Sequence, residues 1–177
     1  MLFRSDDVAE LCAASAVAVP RALVNPYCFE PAIAPHIAAK RAGVAISAEK
    51  IVAAFDALAS TFDMVVVEGA GGFCIPLGDE LDSAGLADRL GLPVILVVGL
   101  RLGCLNHALL TAQAVSRCGL ALAGWVANHI DPDMEAVEEN ISSIERRLGA
   151  PLLARWHYAP SAQLEIPSVE LILGKSA

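Results

Sequence analysis

The chain has 177 residues, 56% of them hydrophobic, 18% charged and 5% aromatic, and its twelve Lys and Arg against twenty Asp and Glu leave a formal charge of −8. This length predicts one domain over residues 1–177, and the acidic surface disfavours nucleic acid as a partner, because phosphate backbones repel it. The mean hydropathy of +0.58 is high, yet the longest apolar runs, such as Val94 to Gly99, fall far short of the roughly 20 residues that a membrane-spanning helix needs.

The apolar excess is better explained by parallel strands covered on both faces, which read as continuous Val, Ile and Leu. Five cysteines (Cys12, Cys28, Cys74, Cys104, Cys118) are odd in number and form no C-x-x-C pair. With no secretory leader at the start, they predict reduced thiols and a cytoplasmic protein. The four histidines lack the i, i+4 spacing of a helical zinc site.

In chain order, Ser5-Asp6-Asp7 before an Ala-rich stretch predicts a helix N-terminus with acidic residues on the favourable end of its dipole. Val24 to Pro35 contains Pro26, Pro31 and Pro35 and is expected to be extended or turning. Ser47 starts a helix through Ala59, with Ile51, Ala54, Phe55 and Leu58 on one face. Asp63 to Glu68 is predicted to be a strand ending in Gly69-Ala70-Gly71-Gly72. Ser83 to Leu90 follows as a helix closed by Gly91 and Pro93.

Pro93 to Gly99 is a second buried strand and Leu105 to Cys118 a helix stopped by Gly119. Leu120 to Asn128 is a third strand, Met134 to Leu148 a helix closed by Gly149, and Pro151 to Ala154 begins a fourth strand. Strands alternating with helices of this length predict an α/β fold with a parallel sheet built through right-handed crossovers.

In such sheets ligands lie beyond the carboxyl ends of the strands, which selects three stretches. Glu68-Gly69-Ala70-Gly71-Gly72 puts a carboxylate at a strand tip, able to hold Mg²⁺, before small residues that let backbone N–H groups approach phosphate. The alternative is a glutamate capping a neighbouring helix beside a glycine turn. Gly99 to His107 joins a strand end to a helix start, a natural anion site, although Asn106 there reads equally as an N-cap and His107 as a surface residue. Val126-Ala127-Asn128-His129 offers a strand-end amide able to read a base edge, or simply a turn. Asp6 by itself is an ordinary helix-start residue. Gly174-Lys175-Ser176 imitates the end of a phosphate-binding G-x-x-x-x-G-K-[ST] loop, but position 169 is Val169 and only Ala177 follows, so it is rejected.

Taken together these stretches resemble one family, dethiobiotin synthetase. The segments that carry the resemblance begin with Asn25-Pro26-Tyr27-Cys28-Phe29-Glu30-Pro31 with Pro35-His36, and with Val65 to Gly72. Leu92 to Gly99 comes next, running into Leu102-Gly103-Cys104-Leu105-Asn106-His107-Ala108-Leu109-Leu110-Thr111, and Ala123-Gly124-Trp125-Val126-Ala127-Asn128 is last. The L-G-C-x-N-H-A-x-L-T and G-W-V-A-N runs, in this order, are the specific ones.

The resemblance implies a P-loop NTPase-like parallel sheet with helices on both faces. It also implies an ATP- and Mg²⁺-dependent ligase that closes the ureido ring of dethiobiotin from 7,8-diaminononanoate (7,8-diaminopelargonate) and CO₂ in biotin biosynthesis. By similarity Asp6 and Glu68 would hold the metal, and Asp6, Glu68, Gly69, Ala70, Gly71, Asn128 and His129 would form the ATP site, with Asn128 on the adenine. Gly103, Cys104, Leu105 and Asn106 would meet the substrate carboxylate across a homodimer interface.

Two departures from the family pattern stand out. The family's N-terminal phosphate loop with its Lys-Thr, and the substrate-binding lysine and serine after it, have no counterpart here. No catalytic residue is therefore assigned, the 177 residues alone are expected to be inactive, and a longer reading frame is expected upstream. Arg155-Trp156-His157-Tyr158 stands where the family commonly has a proline-containing turn near the adenine, so no ATP contact is assigned there. Two other readings are a related P-loop amide-forming ligase of the cobyrinate amidating type, which should lack the L-G-C-x-N-H run, and a non-catalytic remnant serving as a dimerisation module.

Overall fold

The computed structural model describes residues 17–158 together with Ala9, Cys12 and Ala13. The chain divides into two compact units, Met1–Gly91 and Leu92–Ala177. The helix expected after Ser5-Asp6-Asp7 lies mostly outside the described residues.

The first unit is helical. Its described elements are α1 (Arg21–Val24), α2 (Pro35–Arg41), α3 (Ala48–Ala59) and α4 (Ser83–Leu90). Pro35 opens α2 at the position where a missing N–H costs nothing, while the other prolines keep the preceding segment irregular. Ser47 caps α3, its hydroxyl accepting from the Lys50 N–H at 3.2 Å, and Ile51 and Ala54 form the buried stripe. The Ser47 N–H in turn donates to the buried Tyr27 hydroxyl at 3.0 Å, and the Lys50 ammonium sits 4.5 Å from the centre of the same ring. At α4 the Asp82 carboxylate accepts from the Gly85 N–H at 2.7 Å. The helix ends at Gly91, whose φ of 62° suits glycine.

One expected element is absent. Residues 63–68 form no strand in the described structure, and Val66 is 79% exposed. The run has the β-branched composition of a strand, but a strand exists only through ladder bonds to a neighbour, and none of the described residues pairs with it.

The second unit is a regular βαβαβ repeat: β1 (Val94–Leu100), α5 (Cys104–Arg117), β2 (Leu122–His129), α6 (Val137–Leu148) and β3 (Leu152–Trp156). The three strands are parallel, in the order β1-β2-β3. Val98 and Leu100 of β1, Trp125 and Ala127 of β2, Cys104 and Ala108 of α5, and Ile141 and Ile144 of α6 form one core. Both helices therefore lie on the same face of this sheet, as consecutive right-handed crossovers require. On the opposite face a side chain at Gly124 would force a shift, since a Cβ there would lie 2.5 Å from Leu153 Cγ.

The α6 helix starts at Val137 rather than Met134. The Asp131 carboxylate accepts from the Asp133 N–H at 3.1 Å, closing a turn. Ala136 then adopts a left-handed φ of 54° before the helix begins.

Candidate functional site

The register of the sheet brings the strand ends into one row. Gly99 of β1 pairs with Asn128 of β2, and Asn128 pairs with Trp156 of β3. Because the strands are parallel, this row marks the carboxyl edge where ligands of open α/β sheets sit. Trp125 and Ala127 point into the core, so alternation sends Asn128 to the other face. Gly99 is closely approached: a Cβ would lie 2.7 Å from Ile130 Cδ1. Beside it, a cavity of about 230 Å³ is lined by Arg101, Cys104, His107, Thr111 and Ile130 among others.

The same edge carries the start of α5. Gly103, with φ 92°, is its N-cap and gives no side-chain cap, so Asn106 is not the N-cap but lies inside the first turn. The Cys104 N–H is used in a turn to the Arg101 carbonyl at 3.0 Å. The Leu105 and Asn106 N–H groups, in the first turn, have no acceptor within the helix and present a positive end to any anion placed there. Cys104 itself is 2% exposed and belongs to the core, so only its backbone is offered to a ligand. Asn106 and His107 are exposed.

In the first unit, exposed Glu68 precedes a tight loop. Gly71 and Gly72 hold φ of 79° and 128°, a conformation that side chains disfavour. The loop beyond is fastened by Ser83, whose hydroxyl accepts from the Ile75 N–H at 2.8 Å and lies 2.7 Å from the Phe73 carbonyl as a donor. From the sequence alone Ser83 is only a helix start. Its role shows solely once residues 72–83 are folded back on themselves. Asp6 and residues 174–176 lie outside the described residues, so the pairing of Asp6 with Glu68 remains an expectation. No group of three or more His, Cys, Asp or Glu among the described residues is arranged to hold a metal.

Two polar atoms at the sheet edge are shut off from solvent with no hydrogen-bond partner among the described residues: His129 Nε2 and Trp156 Nε1. The His129 ring meets Tyr158 edge-on, with centroids 6.5 Å apart and planes at 68°. From the sequence Trp156 stood out only within Arg155-Trp156-His157-Tyr158, as a departure from the family pattern, and not as the register neighbour of Asn128. The signal available for it was strand register, which needs the β2–β3 pairing to be known.

Residues 4–163 match the family model described as an AAA domain, and the chain belongs to that family. Within it, the chain is similar to proteins named ATP-dependent dethiobiotin synthetase BioD. The protein of that name from Aromatoleum aromaticum is 54% identical over 149 residues, which are 84% of this chain and 66% of the relative. That from Nitrosospira multiformis is 56% identical over 147 residues, 83% and 65% of the two chains. That from Janthinobacterium sp. is 49% identical over 152 residues, 86% and 64%. The chain thus spans just under two thirds of the length of the curated relatives it matches. The family resemblance read from the sequence is borne out, as is its α/β class.

Proposed function

We propose that the protein to which this chain belongs is an ATP-dependent dethiobiotin synthetase acting in biotin biosynthesis. The observation that carries this reading is similarity at about half identity, sustained over more than four fifths of the chain, to proteins of that name. The reaction would begin when one amine of 7,8-diaminononanoate captures CO₂ as a carbamate. ATP phosphorylates a carbamate oxygen, giving ADP and a carbamic-phosphoric anhydride. The second amine then attacks the activated carbon, phosphate leaves, and the ureido ring closes. Such chemistry depends on positioning the groups and on offsetting negative charge.

The residues divide that work by element. Asn128, at the strand end, presents an amide with both donors and an acceptor to the adenine. The backbone of Gly69, Ala70 and Gly71 approaches the phosphates, and the open N–H groups around Gly103, Leu105 and Asn106 receive the substrate carboxylate. Leu102, 94% exposed at the tip of that loop, suits contact with a second copy of the chain, in keeping with a homodimer.

The donor set fits Mg²⁺, which commonly takes one or two carboxylates and keeps water and phosphate oxygens for its remaining positions. Glu68 is exposed and can serve, with Asp6 as partner, without a closed protein cage. The ion would supply neutralisation of the triphosphate charge. The absence of any spanning helix among the described residues and the acidic composition agree with a cytoplasmic enzyme.

The test is to supply the complete gene product with the diamine, bicarbonate, ATP and Mg²⁺ and to measure dethiobiotin by mass spectrometry. Turnover that falls at least tenfold in Glu68→Gln supports the reading. No dethiobiotin from the native protein, or amidation of a corrinoid in its place, overturns it.

A further inference from the structure

Trp156 has no part in the assignments above, yet it occupies the register position beside Asn128. Its direction follows from its neighbour. Arg155 turns toward α6, its guanidinium 2.7 Å from Glu138, so alternation along β3 sends Trp156 to the opposite face, the one that carries Asn128. Its indole N–H is buried and has no acceptor among the described residues. A buried donor left without an acceptor destabilises the empty protein and gains when a ligand supplies the missing atom.

We propose that Trp156 is a nucleobase-specificity residue, its indole N–H donating to N1 of the base that Asn128 reads. The inference rests on the ATP-binding reading and deepens it. Together the pair offers one amide acceptor and, from amide and indole, several N–H donors. Adenine matches this set, because its amino group donates while its ring nitrogens N1 and N7 accept. Guanine carries O6 in place of the amino group and a hydrogen on N1. An indole N–H facing N1 would then oppose another donor, and the amide acceptor would oppose an oxygen. The arrangement therefore favours adenine over guanine, and the indole supplies part of that preference.

The chain contains two tryptophans, Trp125 and Trp156, and Trp125 is fully buried in the core. In a Trp125→Phe background of the complete protein, with any tryptophan outside these 177 residues also replaced by Phe, emission comes from Trp156 alone. ATP with Mg²⁺ should change that emission saturably, while inorganic triphosphate, lacking a base, should bind without changing it.

Replacing Trp156 with Phe keeps a ring but removes the donor. The preference for ATP over GTP, taken as a ratio of dissociation constants, should fall roughly 3- to 10-fold, the range of one hydrogen bond. Affinity for triphosphate should be unchanged, and Trp156→His, which restores a ring N–H, should recover part of the ratio. Tight ATP binding with an unaltered ATP-to-GTP ratio in Trp156→Phe and no change in Trp156 emission overturns this inference while leaving the functional reading intact. Failure of the native protein to bind any nucleotide overturns both. If Trp156→Phe does not fold, the emission measurement decides alone.

Discussion

The guanidinium of Arg89 on α4 lies 2.6 Å from a carboxylate oxygen of Glu49 on α3, and this contact ties together two helices of the first unit. Both side chains are largely in water, at 52% and 75% exposure, where an isolated pair contributes little to stability. Glu49 is nonetheless held at a pKa of about 2 against an ordinary 4.5. Its own backbone N–H is the first cause, the Ser47 hydroxyl the second and Arg89 only the third.

This ordering predicts the pH response of the α3 start. A carboxylate with a lowered pKa in the folded protein adds stability that is complete above about 4.5 and is lost as the pH falls toward about 2. Removing Arg89 (Arg89→Ala) should raise the midpoint of Glu49 only part of the way, whereas Ser47→Ala removes both the cap and a hydroxyl donor and should weaken the helix start as well. Carboxyl-carbon NMR titration of Glu49 in the two variants measures this. A return to 4.5 in Arg89→Ala would show that the ion pair, not the helix start, sets the value.

At Gly124 the prediction is steric. Alanine there would put a Cβ 2.5–2.9 Å from three carbons of Leu153, so the β2–β3 pairing must shift, at about 1–3 kcal/mol. Chemical denaturation should register that loss, and pairing Gly124→Ala with Leu153→Ala should recover part of it. A double variant no better than the sum of the singles would place the constraint elsewhere.

In the core of the second unit, Ile144 is wholly buried while Leu102 is 94% exposed. Truncating Ile144 to Ala should cost about 2–5 kcal/mol, through lost burial and the cavity left behind. Leu102→Ala should leave monomer stability nearly unchanged. If Leu102 lies at an interface between copies, its truncation should instead weaken self-association in sedimentation experiments.

Gly103 combines a left-handed backbone with a place at the start of α5. Gly103→Ala should cost about 1–2 kcal/mol from backbone strain. On the proposed reaction it should also raise the complete protein's KM for 7,8-diaminononanoate more than it lowers kcat, because the N–H groups of the first turn would no longer be held in place. Steady-state kinetics separates the two parameters, and an unchanged KM would remove this loop from substrate binding.

Local chemistry made much of the architecture readable in advance. Asp82, the run Ser83–Leu90 and Gly91 form a helix whose start and stop are both written in side chains, and the structure agrees at both ends. The βαβαβ repeat was equally legible, since its apolar runs and helical stripes differ in period. Residues 63–68 looked like a strand because composition reports propensity, whereas a ladder depends on a neighbour that composition does not reveal. The α6 start was misplaced for a related reason: Met134 fits the helical stripe, but the Asp131 turn and the left-handed Ala136 hold the chain out of the helix. In the candidate site, Asn128 was visible as a strand-end amide. Trp156 was not visible as its neighbour, because its closeness to Asn128 arises from pairing between positions 28 apart in the chain.

Because β2 bonds to strands on both sides, it acts as the ruler for the whole edge. A single-residue deletion between Trp125 and Asn128 would rotate every later side chain by half a turn, tucking the amide among aliphatic groups and turning an imidazole outward. Homologous chains can thus vary freely in helix surface and loop length, but the spacing from that tryptophan to that asparagine admits no change by an odd number.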